Sequence, residues 1–314
     1  MPAVLNSNVA SLWASKNLQG AQSKMADSVE RLSSGLRINR ARDDAAGLGI
    51  ANALTSQING ANQGVRNLND GISMVQTAEG AIAAAQEMGQ RILTLATQGA
   101  NGTLGTTERT AIQSEMRQLI TAIDAIGGRT KYSGNSLLSQ TISGATTTTL
   151  QVSNVTTDTI SLAAGAFRNI GVGYLGTEGT TAGTIASSTT FGEANATKGQ
   201  ASALINAING SLTSDTPATA TTAMQAVQTA ASNYITALGT QRSLLGAYQN
   251  QIEFTVSNVT ELSANLAAAK SNVVDTDYAA ETASLTKGQI LQQAATAMLA
   301  QANQMPNVIL SLLK

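Results

Sequence analysis

The sequence predicts a mainly α-helical protein in which the N- and C-terminal halves form a long antiparallel, coiled-coil-like helical bundle. Three observations lead to this fold class. Apolar residues recur at heptad spacing in both halves, and a two-residue alternation is confined to residues 150–162. Residues 166–214 are rich in Gly, Thr, Ser and Ala without a sustained period. A β-hairpin and a small β or irregular central insertion therefore complete the prediction.

The first predicted helix carries two short apolar stripes, each with the four-and-three spacing of one helical face. Gly35 predicts the end of this helix, because glycine readily adopts the left-handed conformation that closes a helix. Asp43 or Asp44 then predicts the N-cap of the next helix. The two stripes are Leu5, Val9, Leu12 and Met25, Val29, Leu32, Leu36.

Two further helices follow in the N-terminal half. The first has a heptad seam of four repeats and is predicted to end within 98–102, where two glycines interrupt it. The second is predicted to end at Gly127-Gly128. The seam of the first is Leu54, Ile58, Ala61, Val65, Leu68, Ile72, Val75 and Ile82, then Met88, Ile92 and Leu95; that of the second is Ile112, Met116, Leu119, Ile123 and Ile126.

The apolar period is different in the middle of the sequence. Leu150 and Val152, then Ile160 and Leu162, alternate with polar residues around a turn at 154–158, which predicts a β-hairpin. Residues 166–214 are predicted to be an insertion, either a small outer domain or a long loop.

The C-terminal half returns to helix, with the four-and-three alternation held for six heptads from Ala231 to Val273. A helix from about 221 to 274 would be roughly 80 Å long, so it needs the N-terminal helices and other copies of the chain as partners. Asp275 or Asp277 predicts a fresh helix start. The last apolar stripe is Leu291, Ala294, Met298, Ala302, Met305, Ile309 and Leu312.

Composition limits the possible functions. Charged residues make up 12% of the sequence, the net charge is −1, and Cys and His are both absent. This removes thiol nucleophiles, histidine bases and zinc sites built on His or Cys. No enzyme, metal site or cofactor is predicted. The N-terminus lacks the features of a secretory signal peptide, and no apolar stretch approaches the ~18 residues of a membrane span.

Two clusters allow a second interpretation. Arg31, Arg37, Arg40 and Arg42 flank Asp43-Asp44, which could suggest nucleic-acid binding, but the sequence has no basic surplus, so a capped, salt-bridged helix junction is favoured. The terminal stripes could bind a membrane surface. Residues 289–313 contain no Lys or Arg, however, and partner helices are therefore the favoured interpretation.

Both ends of the sequence resemble bacterial flagellin. The resemblance lies in RLSSGLRINRARDDAAGLGIA (31–51) and QILQQAATAMLAQANQ (289–304), and it continues through LGAYQNQIE (245–253), DTDYAAET (275–282) and the closing VILSLLK. It covers roughly residues 1–165 and 215–314. Gly288, which interrupts a predicted helix, is one of the few departures.

The resemblance implies a structural subunit of the flagellar filament, secreted to the cell exterior and active in motility. It implies inner-core terminal helices at 1–42 with 279–314, an outer-core rod with the hairpin at 43–165 with 215–278, and a surface-exposed insertion at 166–214. The polymerisation residues implied in the terminal helices are Leu5, Val9, Leu12, Met25, Val29, Leu32, Leu291, Met298, Ile309, Leu312 and Leu313.

The resemblance also implies partners. The subunit would cross a type III export channel unfolded, bound by an export chaperone, and add to a homopolymer beneath the filament cap, next to hook-junction proteins. A candidate patch for a host toll-like receptor, and so for innate immune recognition, is Arg91, Leu95 and Glu115. Leu95 as a seam residue and Arg91 as a solvated side chain fit the sequence equally well.

Two other functions remain open at this point. A flagellin-like surface protein could serve adhesion or glycan binding through residues 166–214. A hook-junction protein would add few copies and would not extend into a long filament. No nucleic-acid partner and no membrane insertion are expected.

Overall fold

A computed structural model of the protein describes residues 8–138, 148–162, 167, 170, 200, 203–208 and 217–312. The predicted mainly helical class is confirmed. Within the described residues, the long helices are α1 (Val9–Ser34), α2 (Ala45–Gly99), α3 (Thr106–Arg129), α4 (Pro217–Val274) and α5 (Tyr278–Leu312). The strands are β1 (Lys131–Tyr132), β2 (Asn135–Ser136), β3 (Thr148–Gln151) and β4 (Thr159–Leu162).

The protein divides into two compact units. The terminal unit comprises the described residues within Met1–Asn59 and Ser263–Lys314, and the central unit those within Gly60–Leu262. The division into inner core, outer core and insertion implied by the resemblance remains a prediction. Most of the insertion predicted at 166–214 lies outside the described residues.

The helix boundaries follow the predicted signals. Gly35 closes α1 in the left-handed region, with a φ of 72°, and its N–H donates to the carbonyl of Arg31 at 2.8 Å. The Asp44 carboxylate caps α2 by accepting the N–H of Gly47 at 2.8 Å. α2 ends at Gly99 and α3 at Arg129, at or next to the predicted glycines.

The central unit has a core built on the predicted heptads. Residues seven apart on α2 and on α4 are among the buried ones, as expected for a seam between two long helices. The Arg242 guanidinium of α4 donates to Glu79 and Gln86 of α2 at 3.3 and 3.0 Å. The buried seam positions are Ala61, Leu68, Val75 and Ile82 on α2, and Ala231, Leu238, Leu245, Ile252 and Val259 on α4.

The pairing of α2 with α4 is antiparallel. Gly89 lies against Ile235, while the later Gly99 lies against the earlier Met224. In both places a glycine on α2 lets a large side chain of α4 approach closely. None of the described helices is both long and apolar enough to cross a membrane.

The predicted hairpin is confirmed: β3 pairs with β4 antiparallel, with Leu150 opposite Ile160. The hairpin packs on glycines of α2. A Cβ at Gly64 would lie 1.5 Å from the carbonyl oxygen of Val152, and one at Gly71 would lie 2.4 Å from a methyl of Leu150. These glycines are therefore required for the close approach of the hairpin.

A second, smaller hairpin was not predicted. β1 and β2 pair antiparallel over two residues each, around a turn in which Ser133 and Gly134 both have positive φ. The strands carry no alternating apolar pair, so only the Ser-Gly dipeptide could have signalled the turn.

We expect Gly64→Ala to destabilise the central unit by about 2 kcal/mol or more, because the added methyl meets the main chain of Val152, which cannot move without displacing the hairpin. Thermal unfolding followed by circular dichroism should show a Tm lower by roughly 4 °C or more. Gly80→Ala on the same helix is the matched control: nothing lies within 4 Å of its Cβ position. The control should be neutral or stabilised by up to about 1 kcal/mol. An unchanged Tm for Gly64→Ala would contradict the packing described.

Candidate assembly surface

In the terminal unit, α1 packs along α5 through small residues. Ala14, Ala21 and Ser28, seven residues apart on α1, are the buried positions of that helix. The Ser28 hydroxyl lies 3.5 Å from that of Ser284 on α5, and Gly288 faces Met25. Small side chains let the two helices approach closely, but they bury little apolar area. Gly288 interrupts neither α5 nor the pairing.

Polar contacts fix the ends of the two helices together. Asn8 caps α1, because its side-chain oxygen accepts the N–H of Ser11 at 3.1 Å. The amide nitrogen of the same side chain donates to the carbonyl of Ala302 at 2.7 Å. The Ser11 hydroxyl lies 3.1 Å from the amide oxygen of Asn303. These contacts set the register of α1 on α5.

The large apolar side chains of this helix pair point outward. Leu12 is 76% exposed, Met298 64% and Trp13 59%. The central unit buries its equivalent Leu and Ile side chains almost completely, so the same sequence spacing has opposite results in the two units. Among the described side chains of α1 and α5, the exposed large apolar ones are Val9, Leu12, Trp13, Val29, Tyr278, Ile290, Leu291 and Met298.

Five of the seven predicted polymerisation residues whose side chains the structure describes lie on the surface of the helix pair. Met25, which faces Gly288 of α5, and Leu32 are half-buried, and the described others are exposed. Leu5 and the side chains of Ile309, Leu312 and Leu313 lie outside the described residues. The structure therefore brings the α1 and α5 residues onto one helix pair, and their role in polymerisation stays a prediction.

An apolar groove of about 930 Å³ runs between α1 and α5. Trp13 and Leu291 line it, and Lys16 lies at its edge with its ammonium 5.4 Å from the centre of the Trp13 ring. Sequence reasoning missed Trp13. The signal was present, because an isolated Trp next to an apolar helical stripe is typical of interface residues.

The α1–α2 junction is held to the end of α4 and to the link between α4 and α5. Leu36 and Asp275 form an antiparallel bridge, in which the Arg37 N–H donates to Val274 at 2.7 Å and the Thr276 N–H donates to Gly35 at 3.0 Å. The Arg37 guanidinium also donates to a carbonyl in the last turn of α4, that of Val273, at 2.6 Å. A cation at a helix C-terminus is favourable because it satisfies carbonyls that have no helical partner.

The predicted salt-bridged junction is confirmed. Arg40 forms two parallel bonds with Glu30, one of them 2.8 Å from Nε to Oε1. Arg42 lies 3.6 Å from both Asp27 and Asp43. Arg31 pairs with Glu281 of α5 at 3.7 Å. The arginines are thus engaged with carboxylates and carbonyls of the same unit, which explains the cluster without a nucleic-acid partner.

The Asp43 carboxylate closes the turn before α2. It accepts the backbone N–H of Arg40 at 2.9 Å and that of Asn39 at 3.2 Å. The hydrogen bond from Arg40 is the main reason that the pKa of Asp43 lies below its ordinary value, with the bond from Asn39 and the charges of Arg42 and Arg31 acting in the same direction.

The candidate receptor patch is only partly at the surface. Arg91 of α2 pairs with Glu115 of α3 at 2.7 Å, and both side chains are exposed. Leu95 is 2% exposed and belongs to the core of the central unit. Leu95 is therefore a seam residue and is not available to a partner in this fold. Arg91 and Glu115 remain the accessible members of the patch.

Comparison with known proteins gives two sequence families. The bacterial flagellin N-terminal helical region matches residues 5–143, and the bacterial flagellin C-terminal helical region matches residues 224–313. The protein is 37% identical to a flagellin of Bacillus subtilis over 99% of each sequence. It is 35% identical to flagellin B of Vibrio cholerae over 98% of its own sequence and 99% of the relative.

A solved structure also shares the fold. It is a protein of Vibrio parahaemolyticus assigned as flagellar hook-associated, with a TM-score of 0.51 at 13% identity, over 74% of the present protein and 98% of that one. At that identity the likeness concerns the fold alone.

We expect the Asn39 and Arg40 amide signals to be insensitive to pH from 7 to about 5 and to titrate below the ordinary Asp pKa of about 3.9. The direction of the pH dependence follows from the lowered pKa of Asp43. The ionised Asp43 carboxylate stabilises the folded protein above the unfolded-state pKa, and this contribution is lost as pH falls through the folded-state pKa. NMR of the labelled monomer measures this, and Asp43→Asn should abolish the titration. A midpoint at or above about 3.9 would contradict the capping role.

Proposed function

Since the chain belongs to the bacterial flagellin family, we propose that the exposed apolar faces of α1 and α5 are the surfaces through which its copies bind one another. Flagellins form homopolymeric filaments, and this protein is a structural subunit of the flagellar filament and not an enzyme. The observation that carries the proposal is the outward direction of Leu12, Trp13 and Met298.

The energetics favour a second copy as occupant of the groove between α1 and α5. The exposed large apolar side chains described on this helix pair would be an unfavourable surface for a protein that stays monomeric. Burying a few hundred Å² of it yields several kcal/mol gross at ~25 cal/mol per Å². A homopolymer repeats this gain in every subunit, so modest individual contacts suffice.

The proposed surface includes the rest of the predicted polymerisation set. Val9, Val29 and Leu291 share the exposed faces, while Met25 and Leu32 support the pair from the inside. Leu5, Ile309, Leu312 and Leu313 would continue the stripes at the two ends of the sequence. The terminal helices would accordingly act as the inner core of the filament, residues 43–165 with 215–278 as its outer core, and 166–214 as its exposed insertion.

The same surface supports our proposal of the partners that the family resemblance implies. The apolar surface of the helix pair would have to be shielded from water before assembly. An export chaperone bound to the C-terminal segment would do this. Addition beneath a cap, next to hook-junction proteins, would then replace the chaperone by other copies. The filament formed in this way would lie outside the cell, and the complete absence of Cys prevents disulfide crosslinks during export.

A host toll-like receptor remains a second proposed partner. The support is the exposed Arg91–Glu115 ion pair on neighbouring helices of the central unit. Both groups are accessible and charged, so they could exchange their mutual contact for contacts with a receptor. The adhesion alternative draws no support from the relatives, which match over their whole length as flagellins.

We expect Leu12→Ser to raise the critical concentration for seeded polymerisation by roughly tenfold, because the lost burial of one Leu costs about 1–2 kcal/mol per subunit. The monomer should keep its helix content by circular dichroism, since Leu12 makes little contact within the subunit. Sedimentation of polymer from monomer at graded concentrations measures the effect.

The control is Gln22→Ser, which introduces the same residue at another exposed position of α1. It removes no large apolar side chain and should polymerise like the unmodified protein. Equal critical concentrations for Leu12→Ser and Gln22→Ser would refute the proposed surface.

For the receptor proposal, Arg91→Ala should lower the response of a toll-like receptor reporter cell by about tenfold or more while leaving polymerisation unchanged, because a charged hydrogen bond is worth about 1.5–3 kcal/mol. The control is Arg66→Ala, which removes an exposed arginine elsewhere on α2 whose guanidinium donates to Gln63. A response unaffected by Arg91→Ala would exclude this patch.

A further inference from the structure

The loop between α2 and α3 contains an Asn-Gly pair that is exposed and loosely packed. Asn101 and Gly102 are both exposed, and a Cβ built on Gly102 would meet nothing within 4 Å. Among the described residues, the Gly102 N–H has no hydrogen-bond acceptor. A backbone N–H that is neither bonded nor covered can act as a nucleophile towards a neighbouring group.

The neighbouring group is the side-chain amide of Asn101. Its oxygen accepts the N–H of Thr103 at 3.2 Å, which keeps the amide beside the following peptide bond. The same donor would stabilise negative charge developing on that oxygen during an attack on the amide carbon. The electrophile and the nucleophile are therefore adjacent, and the electrophile is already polarised.

We propose that Asn101 is a site of spontaneous deamidation, and that the isoaspartyl form of the product is stabilised by Arg109. The Gly102 nitrogen loses its proton to solvent base and bonds to Cγ of Asn101. The bond between Cγ and Nδ2 of Asn101 breaks, and ammonia leaves with a proton from solvent. The resulting succinimide takes up one water and opens to aspartate or isoaspartate. No oxidant or cofactor is needed, and the protein gains one negative charge.

Arg109 explains why the isoaspartyl product is favoured. Its guanidinium donates to the main-chain oxygen of Asn101 at 3.1 Å, the residue is 5% exposed, and its Nε has no partner in the described structure. In isoaspartate the main chain runs through the former side chain, so the former main-chain carbonyl becomes the free carboxylate. The new charge thus arises at the atom that Arg109 already contacts.

A second Asn-Gly pair provides an internal comparison. Asn59 and Gly60 lie inside α2, where the Gly60 N–H belongs to the helical hydrogen-bond ladder. A Cβ at Gly60 would lie 2.7 Å from Asn154, so this site is also packed. Deamidation there must wait for local opening of the helix. A third pair, Asn209-Gly210, lies outside the described residues.

The test incubates the purified full-length protein at neutral pH and 37 °C, folded or unfolded in guanidinium chloride, and follows both sites by tryptic peptide mass spectrometry. Peptides 92–109 and 43–66 each contain one Asn-Gly pair. In the folded protein Asn101 should react more than about tenfold faster than Asn59, because Asn59 requires local unfolding. In the unfolded protein the two rates should converge. Equal rates in the folded protein, or a faster reaction at Asn59, would overturn the proposal.

Two further measurements separate the steps. Gly102→Ala, for which the loop has room, should slow the reaction at Asn101 severalfold and leave Asn59 unchanged; an unchanged rate at Asn101 would refute attack by that nitrogen.

Enzymatic methylation of isoaspartate then measures the product ratio. The isoaspartyl fraction should be higher from folded than from unfolded protein and should fall in Arg109→Gln. If Arg109→Gln does not fold, the isoaspartyl fraction is compared between the folded and the unfolded unmodified protein. Equal isoaspartyl fractions in these two samples would exclude the role of Arg109.

Discussion

The small-residue contact between α1 and α5 is the constraint on which the account of this subunit depends. Ala14, Ala21 and Ser28 occupy the positions where the two helices meet. Side chains of that size permit close approach, but they leave no space in which Leu12 or Met298 could be buried. The terminal unit therefore keeps its large apolar groups on the outside, and we propose that neighbouring copies cover them.

The central unit has the same spacing of apolar residues along its helices, but there the large side chains are buried. Leu68, Leu238 and Leu245 fill the seam between α2 and α4 and are completely buried. That unit carries its own core, and the glycines of α2 bring the β3–β4 hairpin onto it. The central unit thus has a core of its own, and under our proposal the terminal unit is completed by assembly. The α1–α2 junction, held by Arg37 and Arg40, gives the terminal unit a defined connection between its helices.

Much of this architecture could be predicted from the sequence because its signals are local. The cap at Gly35, the cap at Asp44 and the alternation at Leu150 each depend on a few neighbouring residues and were correct. Which face of α1 meets α5 could not be predicted, because periodicity identifies an apolar stripe without saying what covers it. Ala14 and Ala21, and not the large apolar residues of α1, face α5, because close helix approach favours small side chains. The burial of Leu95 and of Arg109 likewise depends on tertiary packing, which spacing alone does not reveal.

The most direct test of the central claim is amide hydrogen exchange on α1 and α5 in the monomer and in the assembled filament. We expect weak protection of both helices in the monomer and strong protection in the filament, while α2 and α4 of the central unit are protected in both. Equally strong protection of α1 and α5 in the isolated monomer would show that the terminal helices are stable without neighbours and would contradict the account.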